Sequence, residues 1–391
     1  MKTTTYLYPF SIIVKPIGPL CNLNCDYCYY VDKEKNYSYI DKKDFIISDE
    51  ILEIFIKDYI SIQSKITKNI EFIWQGGEPT LLGVDFFKKV VSLQKKYNYK
   101  NYNIHNSIQT NGTLIDEEMA LFFKANNFLV GISIDGPKDL HNKYRYDKSS
   151  NGSFDKTLKG LELLKKYNVE FNTLTTVNNI NSKYPIEVYE FLKSIGSKYM
   201  QFIPIVEVDE NLSITKYSVE PQLWGTFMTK IFEHWSKNDI GKIFVQHFDL
   251  TLAQYMGLPS CLCSHNKYCG RALAMEHDGS IYSCDHFVFD KNYIGNIKES
   301  LEVIISNKNQ IEFGYNKFST LPKECLDCTY LQLCFGGCPK NRITQRDTGM
   351  QNYLCSGFKY YYEKTYPIYL AMAKALSNKD SAATYKKYLN T

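Results

Sequence analysis

Cysteines are the residues in this chain whose type and spacing can do chemistry, and they fall into two fields. The first is Cys21-x3-Cys25-x2-Cys28, directly after an apolar, strand-like run from Phe10 to Pro16. Three thiolates can hold three irons of a [4Fe–4S] cube and leave the fourth iron open to a small molecule. With 12 Cys in 391 residues, three at fixed spacing are expected by chance roughly 0.01 times per such chain. A zinc site, which normally wants four ligands, and a set of buried structural thiols are the alternatives. The second field runs Cys263-x5-Cys269-x9-Gly279-x4-Cys284, then Cys325-x2-Cys328-x5-Cys334-x3-Cys338-Pro339, then Cys355. Eight thiols can bind two [4Fe–4S] clusters with every iron held by protein. In two-cluster ferredoxins the last Cys of a C-x2-C…C-x3-C-P run ligates the other cluster. Zinc stays open on spacing alone, because C-x2-C units are common in zinc folds and thiolates suit both metals. Cys261 is left over and is expected to be an inert core thiol.

The elements that must position these thiols alternate strand and helix. Ser48 caps a helix whose first turn is acidic and whose apolar positions recur through Ile62. Strands are expected at 70–74, 102–108, 128–134, 170–175 and 199–205, and helices at 85–97, 116–125, 153–167 and 185–195. Apolar strands alternating with amphipathic helices imply parallel β-structure buried on both faces. Counting the strand before the first cysteines, this makes six units, an open partial (β/α)6 TIM-like barrel and not a closed eight-fold one. In such barrels chemistry sits at the carboxyl ends of strands. The polar and glycine-bearing turns Gln75-Gly-Gly-Glu-Pro79, Gln109-Thr-Asn-Gly112 and Asp135-Gly-Pro137 fall there, as does the first cysteine loop. Glu220 to Lys237 reads as an amphipathic helix whose aromatic stripe is packing, bridging two domains. The Tyr-rich tail, Phe358 to Leu389, is helical in pattern.

Composition bounds the rest. Three Cys precede residue 30, none lies between 29 and 260, and nine lie between 261 and 355, which predicts domains 1–240 and 241–391. Lys plus Arg exceed Asp plus Glu by only four, 46 against 42, so nothing calls for a nucleic-acid or membrane partner. Met1 to Phe10 lacks a basic and then apolar leader, and no apolar run approaches the roughly 18 residues of a membrane span. The chain is therefore expected in the cytoplasm, where thiols stay reduced and many Cys mean metal or redox chemistry.

Taken together, the Cys21–Cys28 loop with Tyr27 inside it, Gly76-Gly77-Glu78 after the second strand, and the second spacing including Gly279 resemble radical S-adenosylmethionine (SAM) enzymes with a SPASM extension. The runs Trp74-Gln-Gly-Gly-Glu-Pro-Thr80, Gln109-Thr-Asn-Gly-Thr113, Ser133-Ile-Asp-Gly-Pro137, Gln201-Phe-Ile-Pro-Ile-Val-Glu207 and Tyr282-Ser-Cys-Asp-His286 resemble those of anaerobic sulfatase-maturating enzymes, over nearly the whole chain. The resemblance implies three [4Fe–4S] clusters with SAM as co-substrate. One cluster takes Cys21, Cys25 and Cys28, a second Cys263, Cys269, Cys284 and Cys338, and a third Cys325, Cys328, Cys334 and Cys355. It places Tyr27 by the adenine, Gly77 at the SAM amino group, and Ser133, Arg145 and Val206 among the SAM contacts. The implied reaction oxidises a Cys or Ser of a sulfatase polypeptide, in a Cys/Ser-x-Pro/Ala-x-Arg segment, to Cα-formylglycine. A 5′-deoxyadenosyl radical removes a Cβ hydrogen, Asp285 accepts a proton, and an auxiliary cluster accepts the second electron. Gln75 and Gln109 are expected to line the substrate pocket, with flavodoxin or ferredoxin as electron donor and a monomeric enzyme. Maturation of a ribosomal peptide by cross-linking is the rival reaction; the roughly 10 residues before the first strand argue against its recognition domain. A non-catalytic electron carrier is the remoter alternative.

Overall fold

A computed structural model describes residues 9–39 and 41–389; the part of the leader expectation that concerns residues 1–8 lies outside it. In chain order the elements are β1 (Ser11–Val14), α1 (Asp49–Gln63), β2 (Asn69–Trp74), α2 (Gly83–Tyr97), β3 (Asn103–Thr110), α3 (Glu117–Ala125) and β4 (Leu129–Ser133). There follow α4 (Lys138–Asn142), α5 (Phe154–Lys166), β5 (Phe171–Val177), α6 (Pro185–Ser194), β6 (Tyr199–Pro204), α7 (Pro221–Asn238), β7 (Phe244–Val245) and α8 (Gln246–Tyr255). The cysteine-rich part adds β8 (Ala272–Met275), β9 (Ser280–Tyr282) and β10 (Tyr293–Asn296), a helix Lys308–Ser319, a hairpin of Arg342–Arg346 with Gly349–Asn352, and a helix Cys355–Ser377. Local signals set several ends. The Ser48 hydroxyl accepts from Ile51 N at 3.2 Å, and the Asp116 carboxylate accepts from Met119 N at 2.8 Å, each capping its helix.

The chain packs as two compact units, and their division does not follow the 240/241 boundary. Of the described residues, the first holds 9–39, 41–132, 145–171 and 270–315. Its strands β1, β2, β3 and β4 run parallel as neighbours. β8 then joins the other edge of β1 in parallel, Ser11 opposite Ala272 and Val14 opposite Met275, while β9 and β10 continue antiparallel. The reason is physical. β1 is apolar, with Ile12 and Val14 fully buried, so an open edge would leave buried backbone unpaired. The Ala-Leu-Ala-Met run of β8 supplies that edge, which is why part of the cysteine-rich segment packs with the first unit.

Of the described residues, the second unit holds 133–144, 172–269 and 316–389. Here β5, β6 and β7 are parallel neighbours. α7 lies along the helix Cys355–Ser377 with almost no gap. A Cβ on Gly357 would stand 2.0 Å from the Pro221 carbonyl oxygen, and one on Gly225 2.6 Å from that of Gly357. Trp224, Phe227, Ile231 and Phe232, all on α7, are buried as the stripe predicted. In neither unit does the run of strands close on itself, so the fold is the open, mixed α/β arrangement and no complete barrel.

Candidate active site and cysteine sites

The loop after β1 carries Cys21, Cys25 and Cys28, and the turn after β2 clamps it. Gly77 N donates to Gly18 O and Glu78 N to Leu20 O, both at 2.8 Å. A Cβ at position 77 would lie 1.9 Å from the Leu20 oxygen, so glycine is required there by contact with the cysteine loop itself. Leu23 N points at Cys21 Sγ at 3.3 Å and Asn111 Nδ2 at 3.8 Å. Burial, then the Glu78 carboxylate and the other two thiols, push the Cys21 pKa up to about 12. Cys25 and Cys28 thus lie close enough to Cys21 to perturb it, and N–H donors point at the Cys21 sulfur. That donor set fits an iron–sulfur cluster.

Glu78 was not among the residues expected to act. Its buried carboxylate accepts from Thr80 Oγ1 at 2.5 Å, Thr110 Oγ1 at 2.7 Å and Asn111 N at 2.7 Å. It therefore ties the turn after β2 to the turn after β3, and burial raises its pKa despite those donors. Of the expected SAM contacts, the structure brings two together: Arg145 Nη1 donates to the Tyr27 hydroxyl at 3.0 Å, with Arg145 buried. Gly77 sits in the same unit. Ser133 ends β4 and Val206 follows β6, both in the second unit. There the Val206 carbonyl accepts from Lys340 Nζ at 3.2 Å, and Lys340 also pairs with Glu207.

Asp285 sits in a short turn just after Cys284 and is nearly buried. Lys15, the residue after β1, is 1% exposed and places Nζ 2.5 Å from Asp285 Oδ1. The Tyr29 hydroxyl donates to Oδ2 at 2.6 Å. Burial alone would raise the Asp285 pKa. The Lys15 ammonium, His286 and the hydrogen bonds from Lys15 and Tyr29 outweigh it and hold the carboxyl below its ordinary value. The Lys15 ammonium also stands 4.4 Å over the Tyr30 ring, whose hydroxyl donates to buried Glu276. A lone lysine closing an apolar strand was the sequence signal for this pair. A turn carboxylate capping its own backbone would not need a buried cation from another strand.

In the second unit Cys325, Cys328, Cys334 and Cys355 face one hollow, with Tyr362 and Phe358 on its wall. Cys263, Cys269 and Cys338 form a separate group close enough to perturb one another, and burial pushes Cys269 up to about 12. Cys284 belongs to the first unit. None of the twelve cysteines is joined to another in a disulfide. Cys261 corrects an expectation: it is exposed in the loop before Cys263 and is not a core thiol. Two buried cations that sequence reasoning passed over, Lys317 and Arg342, lie among these cysteines; neither has a sequence signal of its own.

A cysteine loop at the carboxyl end of a first parallel strand, clamped by Gly-Gly-Glu, defines the class. The radical SAM superfamily profile matches residues 16–192, and that of an iron–sulfur cluster-binding domain matches residues 263–329. The chain is 41% identical to the serine-type anaerobic sulfatase-maturating enzyme of Bacteroides thetaiotaomicron, covering 100% of this chain and 98% of that one. It is 37% identical to the cysteine-type enzyme of Clostridium perfringens, over 92% and 97% of the two chains. The solved structure of native anSMEcpe with bound AdoMet and Kp18Cys peptide superposes with a TM-score of 0.83 at 36% identity, over 94% of this chain and 99% of that one. The protein is thus a radical SAM enzyme with an auxiliary iron–sulfur domain. Within that class, it belongs to the anaerobic sulfatase-maturating enzymes.

Proposed function

We propose that this protein oxidises a Cys or Ser of a sulfatase polypeptide to Cα-formylglycine, with Asp285 as the base. The observation that carries the reading is the buried carboxylate of Asp285, fixed by Lys15 and Tyr29 in the same unit as the Cys21–Cys28 loop. When bound, the cluster on Cys21, Cys25 and Cys28 and its SAM supply the radical that removes the Cβ hydrogen. The chain's own residues do the rest. Asp285, ionised at neutral pH, accepts the proton that leaves the substrate thiol or hydroxyl. Lys15 and Tyr29 hold its two oxygens in fixed directions. Tyr27, Gly77, Ser133, Arg145 and Val206 are the proposed SAM contacts, with the Arg145 guanidinium suited to a carboxylate.

Two auxiliary clusters, one on Cys263, Cys269, Cys284 and Cys338 and one on Cys325, Cys328, Cys334 and Cys355, make three in all and complete the proposal. So does a functional division at 240/241 that cuts across the packing units. Flavodoxin or ferredoxin as donor, a monomer, and a cytoplasmic setting belong to the same reading; among the described residues no helix is long and apolar enough to cross a membrane. The test is Asp285→Asn in reduced, iron-loaded enzyme. It should still cleave SAM to 5′-deoxyadenosine but release no formylglycine; product at the parent rate would remove Asp285 from the role of base.

A further inference from the structure

Lys317 and Arg342 are buried, 1% and 9% exposed. Lys317 Nζ donates to the carbonyls of Asn266 and, at 3.2 Å, Phe335. Arg342 donates to Gly336 O at 3.2 Å and Phe335 O at 3.1 Å. One carbonyl thus serves both cations. It is presented by a loop whose residues Phe335, Gly336 and Gly337 all have positive φ, at 44°, 72° and 63°. Among the described residues neither cation forms an ion pair with a carboxylate. Burying one cation without a counter-anion is strongly unfavourable, and burying two beside each other is more so. The groups beside them that become anionic are cysteine sulfurs, once a cluster takes the place of their protons. Lys317 feels Cys263, Cys269 and Cys334, and Arg342 feels Cys325, Cys334, Cys269 and Cys338. These five cysteines come from both groups: Cys263, Cys269 and Cys338 from one, and Cys325 and Cys334 from the other.

We propose that Lys317 and Arg342 are a shared counter-cation for the two auxiliary cysteine sites, raising the reduction potential of both together. The inference rests on reading those cysteines as iron–sulfur ligands. Adding an electron to either site adds one negative charge, and a fixed, desolvated cation stabilises that charge more than water-screened lysines on the surface do. Because the cations are shared, removing either one shifts both potentials in the same direction.

The test uses anaerobically purified holoenzyme carrying Lys317→Met, Lys317→Arg or Arg342→Gln. Iron content is measured, and midpoints are read by EPR redox titration, with SAM added to mark the N-terminal cluster's signal. Lys317→Met and Arg342→Gln should shift both auxiliary midpoints to more negative values and leave the N-terminal one in place, while Lys317→Arg stays near the parent. If Lys317→Met loses auxiliary iron, Lys317→Arg should retain it, because charge and not shape is what the site needs. Full iron with unmoved midpoints, a shift in one auxiliary site alone, or equal iron loss in Met and Arg variants would each overturn the proposal. Parent enzyme holding zinc, or no iron, at these cysteines would instead sink the cluster reading beneath it.

Discussion

Replacing Lys15 by methionine removes the buried cation that faces Asp285 while keeping a chain of similar length in the core. At the 2.5 Å separation of Nζ and Oδ1, Coulomb attraction with an effective dielectric of about 20 is about 6–7 kcal/mol before desolvation. Breaking such a pair by removing one member costs about 3–5 kcal/mol, because the other is left as an uncompensated buried charge. The Tyr29 hydrogen bond at 2.6 Å remains and offsets about 1–2 kcal/mol of that. The net loss for Lys15→Met is therefore expected at about 1–4 kcal/mol. In an Asp285→Asn background the same substitution strands no charge, so its cost should fall to about 1 kcal/mol or less. The assay is a double-mutant cycle on holoenzyme, with urea midpoints read by far-UV circular dichroism, run beside a count of formylglycine per 5′-deoxyadenosine. Lys15→Met should lower that ratio at least tenfold, with SAM cleavage preserved. Equal costs for Lys15→Met in both backgrounds, or an unchanged ratio, would refute the idea that Lys15 holds the base.

Two further outcomes follow from named contacts. Gly77→Ala sets a methyl group 1.9 Å from the Leu20 oxygen, so the cysteine loop must move; the variant should lose iron from the N-terminal site, seen by iron analysis and EPR, while auxiliary iron stays. Asp249 on α8 is half-buried, with no ion-pair partner among the described residues, and burial raises its pKa to about 6. For an acid with a raised folded pKa the native state prefers the proton. The penalty is absent below about pH 4, grows as pH rises to about 6 and is complete above it. Asp249→Asn should therefore stabilise the fold at pH 7.5 by on the order of 1–2 kcal/mol, allowing for residual solvent, and change little at pH 4, as denaturant midpoints at the two values will tell.

Much of this was legible beforehand because local rules carried it. β2, β3, β5 and β6 and their helices follow alternation and caps such as Ser48 and Asp116, which need only neighbouring residues. The two cysteine fields were legible from spacing, while their division into ligand sets is what the family resemblance implies. What escaped depended on distant partners. Nothing near Ala272–Met275 says that it will lie against β1, so the packing units could not be drawn from the gap in cysteines. Lys15 and Glu78 are a charge in an apolar strand and a carboxylate in a tight turn until their buried partners are seen. Lys317 reads as one more surface lysine on a helix, and only the burial of its ammonium against backbone carbonyls marks it out.

The most direct check is to incubate reduced, iron-loaded enzyme and SAM without oxygen with peptides containing Cys-x-Pro-x-Arg or Ser-x-Pro-x-Arg, trapping carbonyls with a hydrazide before mass spectrometry. A hydrazone at the Cys or Ser position, formed in step with 5′-deoxyadenosine, is the predicted result. A peptide that loses two hydrogens but traps no hydrazide, as a cross-link would, or 5′-deoxyadenosine with no change in peptide, contradicts it.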